Sequence, residues 1–80
     1  MNLKDAIVLR IKKLCKEYTI APNEMATHSE ISPSTIYSIF SIKSKSPEVA
    51  TIKKICNGLE ITFAQFFDAD AFNNLEQEIK

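Results

Sequence analysis

Eighty residues suffice for one domain but allow only about 60 to 65% of the unfolded chain's surface to be buried, so the core must be small and simple. With 45% apolar residues, a single Gly and no apolar run near the roughly 20 residues of a membrane span, the composition argues against a disordered tail, a turn-rich β sandwich and a membrane protein. Net charge is zero but segregated: residues 1–58 carry nine Lys/Arg against five Asp/Glu, a net of +4, and residues 59–80 carry one against five, a net of −4. Such segregation steers association with a charged partner.

In chain order, the first pattern spans 3–18. Asn2 is placed to cap it, Asp5 lies in the favourable first turn, and Leu3, Ile7, Ile11, Leu14 and Tyr18 form one apolar stripe with Cys15 beside it. Arg10, Lys12, Lys13 and Lys16 lie mostly off that stripe. The stretch MNLKDAIVLR has no signal-peptide h-region, which sets the expectation of a soluble, cytoplasmic protein.

Two short patterns then meet at a corner within 22–40. Pro22 opens a helix to about residue 28, with Met25 and Ala26 facing inwards, Ala26 being small enough for a close helix crossing. Ser32 as N-cap and Pro33 at the first helical position start the next helix, 33–41, with Ile31 and Ile36 as a hydrophobic staple. Its buried face is Ile36, Ile39 and Phe40. Pro33, Ser34, Thr35, Tyr37 and Ser38 fall on the exposed side or at the N-terminal end, and they offer mostly hydroxyls.

A polar, basic loop (41–47, SIKSKSP) with Lys43 and Lys45 leads to a helix over 48–57, which should bury Val49, Ile52, Ile55 and Cys56, with Gly58 in a left-handed position after it. Ile20 with Met25 and Ile61 with Phe66 repeat the five-residue staple spacing. Thr62 and Gln65 form a capping box for a helix ending near Phe67. Residues 68–80 are expected to form one more helix, with Phe72, Leu75 and Ile79 on one face. The expected architecture is all-α: a compact bundle of five short helices with a helix-turn-helix, plus a short C-terminal helix. It forms one domain with a core at 3–67 and an extension at 68–80.

The pattern from Ile7 to Phe67 resembles the Cro/phage-repressor (XRE-like) helix-turn-helix family. Counting from Pro22, the family's small fifth residue is Ala26, its hydrophobic fourth, tenth, fifteenth and eighteenth positions are Met25, Ile31, Ile36 and Ile39, and TIKKICNGLEITFAQFF is similar to its fourth and fifth helices. The resemblance implies a transcriptional regulator, a repressor by expectation, binding double-stranded DNA with helix 33–41 in the major groove and helix N-termini on phosphates. The chain departs from the pattern at three places. Pro22 stands where a long polar residue is usual, with Asn23 as the neighbouring substitute; Glu30 stands at a turn position that is often Gly; and Phe40 stands where an acidic residue often pairs with a base on the first helix, leaving Lys16 to face solvent or phosphate.

The candidate DNA contacts are therefore Asn23, Pro33, Ser34, Thr35, Tyr37, Ser38, Lys43 and Lys45, with Lys16 as a further phosphate contact. Helix 33–41 has no Arg, Lys, Asn or Gln to make the bidentate base contacts worth about 1 to 3 kcal/mol each, so salt-sensitive phosphate contacts and DNA shape must carry much of the binding. Cys15, Cys56 and His28 lack C-x-x-C or H-x-x-x-H spacing, and no nucleophile motif or phosphate loop occurs, so neither a metal, nor another cofactor, nor a small-molecule substrate, nor catalysis is expected. Phe72, Leu75 and Ile79 have two open readings, a cap on the monomer's own core or a homodimer interface that spaces two reading helices about 34 Å apart. The alternative function is a protein-interaction module, such as an antitoxin or an antagonist of another regulator.

Overall fold

The computed structural model describes residues 2–41 and 45–75. Its elements are α1 (Leu3–Glu17), α2 (Pro22–His28), α3 (Pro33–Phe40), α4 (Val49–Leu59) and α5 (Phe63–Phe67), followed by a 3-10 turn at Asp70–Asn74. None of the described helices is long and apolar enough to cross a membrane. The local signals act as expected at most helix starts. The Asn2 side chain accepts from the Asp5 N–H at 2.8 Å, and Thr62 and Gln65 cap each other's backbone N–H groups at 2.8 and 3.1 Å.

Three corners share one construction. The chain leaves α1, α2 and α4 through a left-handed residue, namely Thr19 (φ 55°), Glu30 (φ 58°) and Glu60 (φ 57°). An isoleucine follows each time. The N–H groups of Ile20, Ile31 and Ile61 donate to the carbonyls of Cys15, Ala26 and Cys56 at 2.9 to 3.0 Å, and the left-handed residues donate to the carbonyls of Lys16, Thr27 and Asn57 at 3.2 Å. This is the Schellman closure of a helix C-terminus. The next residue, Ala21, Ser32 or Thr62, is already the N-cap of the following helix. Each isoleucine packs against the core, five residues ahead of the buried Met25, Ile36 or Phe66, so it closes one helix and staples the next. The corner before α2 has an alanine cap, and there the Glu24 side chain supplies a bond by accepting from the Ala21 N–H at 3.2 Å.

The core joins Ile7, Ile11 and Leu14 of α1 to Met25, Ala26, Ile36, Ile39, Ile52, Ile55 and Phe66. Ala26 is fully buried, as the close crossing of α2 requires. Arg10 binds α1 to α5. Its Nε lies 2.6 Å from the Phe66 carbonyl and its Nη2 lies 2.7 Å from that of Gln65, so one guanidinium serves two carbonyls at a helix C-terminus.

Four expectations need correction. Gly58 is not left-handed: α4 runs on to Leu59 and Glu60 takes that conformation. The glycine is there for space, because a Cβ on it would lie 2.3 Å from Ser29 Oγ and 2.9 Å from the backbone carbonyl of His28. Val49 is the first residue of its helix and is 70% exposed rather than buried. Leu3 and Tyr18, at the two ends of the α1 stripe, extend past the covering elements and are 36% and 44% exposed.

The fourth correction concerns the apolar face expected on the C-terminal helix. Its described part is the 3-10 turn followed by an extended Leu75 (φ −75°, ψ 145°), so Phe72 and Leu75 do not share a helical face. Asn74 donates its side-chain amide to the Asp70 carbonyl at 3.1 Å, which is the local competition with helical bonding that asparagine favours. Phe72 lies against Phe67 and Phe66, with ring centroids 4.9 and 6.3 Å apart, and so covers the monomer's own core. Ile79 lies outside the described residues.

Burial pushes both thiols up. Cys15 is shifted by desolvation alone, while in Cys56 the Lys53 charge and a backbone hydrogen bond oppose the desolvation without reversing it. A raised folded-state pKa means that the unfolded chain ionises first, so the contribution to stability is complete below about pH 8.5 and is lost as pH rises above it. Urea midpoints at pH 7.5 and 9.5 should therefore fall more for the wild type than for the Cys15→Ala/Cys56→Ala variant. Gly58→Ala should destabilise by about 1 to 3 kcal/mol through overpacking between α4 and the end of α2, as read by urea denaturation.

Candidate nucleic-acid interface

The exposed side of α3 is built from its N-cap. Ser32 is extended (φ −73°, ψ 146°), and its Oγ accepts from the Thr35 N–H at 3.3 Å. The same oxygen lies 3.0 Å from Ser34 Oγ and 2.9 Å from Thr35 Oγ1. Three hydroxyls thus form one network that holds Ser34 and Thr35 in place. Ile36 and Ile39 anchor the helix from below, and Ser34, Thr35, Tyr37 and Ser38 remain exposed, Tyr37 by 52%.

Beyond the helix, Thr35 and Ser38 line a shallow groove with Lys45, Glu48 and Thr51. The structure therefore brings Thr35, Ser38 and Lys45 to one surface, although Lys45 is seven residues beyond Ser38 in the chain. Lys43 lies outside the described residues. Asn23 is exposed at the second position of α2, where its carbonyl accepts from Thr27 Oγ1 at 3.1 Å. Pro33 is exposed at the first position of α3.

The departure at Phe40 has a structural counterpart. Tyr37 meets its ring edge to face, with centroids 6.2 Å apart and planes at 89°, and Lys12 Nζ lies 5.2 Å from its centroid. A cation over a ring joins α1 to α3 at this point. Lys4 adds a second link by donating to the Ser41 carbonyl just after α3. Lys16 is exposed and lines a different groove with Leu9, Lys12 and Lys13, so it is not gathered onto the surface that holds Thr35, Ser38 and Lys45. Glu48 and Thr51, which share the groove with Thr35 and Ser38, and Lys12, which lies over Phe40, are neighbours of α3 that reading the sequence did not single out. Helical periodicity showed only that Lys12 was off the stripe, and nothing local tied Glu48 and Thr51 to α3.

Neither cysteine is available at this surface, since both are buried free thiols. Among the described residues no three His, Cys, Asp or Glu side chains are grouped closely enough to hold a metal ion.

The corner, the capped α3 and the exposed hydroxyl face can now be set beside known proteins. No curated protein and no solved structure shows a significant match to the chain. A family model described as the Cro/C1-type HTH DNA-binding domain matches residues 10–71, more than three quarters of the chain, including all three isoleucine corners and the whole of α3. The chain belongs to the Cro/C1-type helix-turn-helix family of DNA-binding regulators.

Proposed function

We propose that this chain binds a specific double-stranded DNA operator as a single cytoplasmic domain and acts as a repressor, with α3 in the major groove. The observation that carries the reading is the fixed array of hydroxyls on the exposed face of α3, set beyond a helix-turn-helix corner whose left-handed Glu30 has kept its conformation. Ser34 and Ser38 supply single hydrogen bonds to base edges, the Thr35 methyl meets a thymine methyl, and Tyr37 reaches a phosphate or a base. Lys45, Lys43 and the exposed N-terminus of α2 at Asn23 contact phosphates. Lys12 joins this set because it is held at Phe40, at the far end of α3, and Lys16 extends the positive face along α1.

A homodimer on a two-fold operator remains part of the proposal, with Leu75 and Ile79 as the candidate contact and Phe72 contributing only its exposed part. The alternative, a protein-interaction module such as an antitoxin or an antagonist of another regulator, draws its support from the absence of Arg, Lys, Asn and Gln in α3 and from the net −4 of residues 59–80.

The test is fluorescence anisotropy against duplexes selected from a random pool, at 50 and 200 mM salt. Operator binding predicts at least about 10³-fold preference over random duplex and a steep loss with salt. No retention at either salt would reject DNA binding in favour of the protein module. Ser34→Ala/Ser38→Ala should weaken binding to the selected duplex by about tenfold or more with random-duplex binding unchanged, circular dichroism confirming the fold. Lys12→Ala and Lys45→Ala should each reduce the salt slope by about 0.9, with the base preference retained.

A further inference from the structure

The groove beside α3 holds two full charges of opposite sign among its described lining, Lys45 and Glu48. Lysine is the expected side chain beside a phosphate backbone. Glu48 is not. It occupies the N-cap of α4 (φ −69°, ψ 154°), yet its side chain makes no capping hydrogen bond, so the backbone of α4 gives it no local employment of the kind Ser32 and Thr62 have. It shares the groove with Thr35 and Ser38, the two hydroxyl side chains that α3 contributes to it, and it is exposed.

We propose that Glu48 is a specificity-determining residue of the DNA interface, an inference that rests on the operator-binding reading above. A carboxylate at this place acts in two opposite ways. Against a phosphate it is a like charge, so it penalises complexes held only by the backbone, in which the loop and the start of α4 would otherwise settle onto phosphates. Against a base edge it is an acceptor, and the major-groove donors it can take are the exocyclic amino groups, cytosine N4 foremost and adenine N6 second. The hydroxyls of α3 are each able to donate or accept, and so discriminate weakly between bases. A carboxylate can only accept. Glu48 thereby contributes the one acceptor-only side chain among the described lining of this groove, opposite in polarity to the donor-only Lys45, and it does so from outside the reading helix.

The experiment compares wild type, Glu48→Gln and Glu48→Ala. Each is tested by anisotropy at 50 mM salt against the wild-type selected duplex and a random duplex, and a new duplex selection is run for each variant. The expected result is a rise of about three- to tenfold in affinity for random duplex and little or no gain for the selected duplex, so that the preference ratio falls. The reselected sites should lose the preference for cytosine or adenine at one position while keeping the rest. Equal affinity gains on both duplexes with an unchanged site would overturn the proposal and reduce Glu48 to a uniform electrostatic brake. Changes under twofold on both duplexes with the same site would also overturn it. Failure of all three proteins to bind any duplex would instead reject the operator-binding reading on which the proposal depends. The Ala variant separates loss of the charge from hydrogen bonds that the Gln amide makes itself, and circular dichroism checks that α4 is intact.

Discussion

The structure depends on turning the backbone sharply without glycine. A chain of this length must reverse several times to bury any core, and each helix end leaves carbonyls that need donors. Here the solution is one three-residue device used three times: a left-handed residue, an isoleucine, a cap, and then the next helix. The left-handed Thr19, Glu30 and Glu60 each cost about 1 kcal/mol or more in steric strain. The isoleucine that follows offsets this by satisfying a carbonyl with its N–H and packing its partly buried side chain against the core. Without that double contact the helices would have ends but no fixed crossing angles.

The crossing angles in turn decide which face of α3 stays exposed. Gly58 lets α4 come against the end of α2, and Arg10 holds α5 to α1, so that the core closes on one side of α3 and leaves the other side open. What stands on that open side is mostly short hydroxyl side chains, Ser34 and Thr35 among them held by bonds to Ser32 Oγ, rather than long charged ones. Short groups lose little rotamer freedom on binding, whereas long ones lose up to about 2 kcal/mol each. A small alphabet of rigid hydroxyls, helped by charges on neighbouring elements, is therefore a coherent way to trade reach for order.

The parts of this arrangement visible in the sequence were those set by local signals. Ser32-Pro33 fixed the start of α3 and Thr62 with Gln65 fixed the start of α5, because a cap and its partner are three residues apart. The staple spacings were visible for the same reason. What could not be read were contacts between elements. Gly58 carried a strong signal for a left-handed turn, but the approach of Ser29, 29 residues earlier in the chain, decided its use. Tyr18 and Leu3 fitted the apolar period, which says which face is apolar but not how far along the helix a neighbour covers it. At the candidate interface, the exposure of the α3 hydroxyls followed from periodicity, while Lys12 at Phe40 and Glu48 in one groove with Thr35 required the packing angles.

The repeated isoleucine corner also bears on how the chain reaches this state. Every bond of the device closes over three to five residues, so each corner can form before any distant segment arrives and at almost no loop-closure entropy. Topologies dominated by such short-range closure cross their folding barrier in microseconds to milliseconds. A nascent chain with these corners is directed early, and the helices that later share a core are already pointed towards one another when they meet.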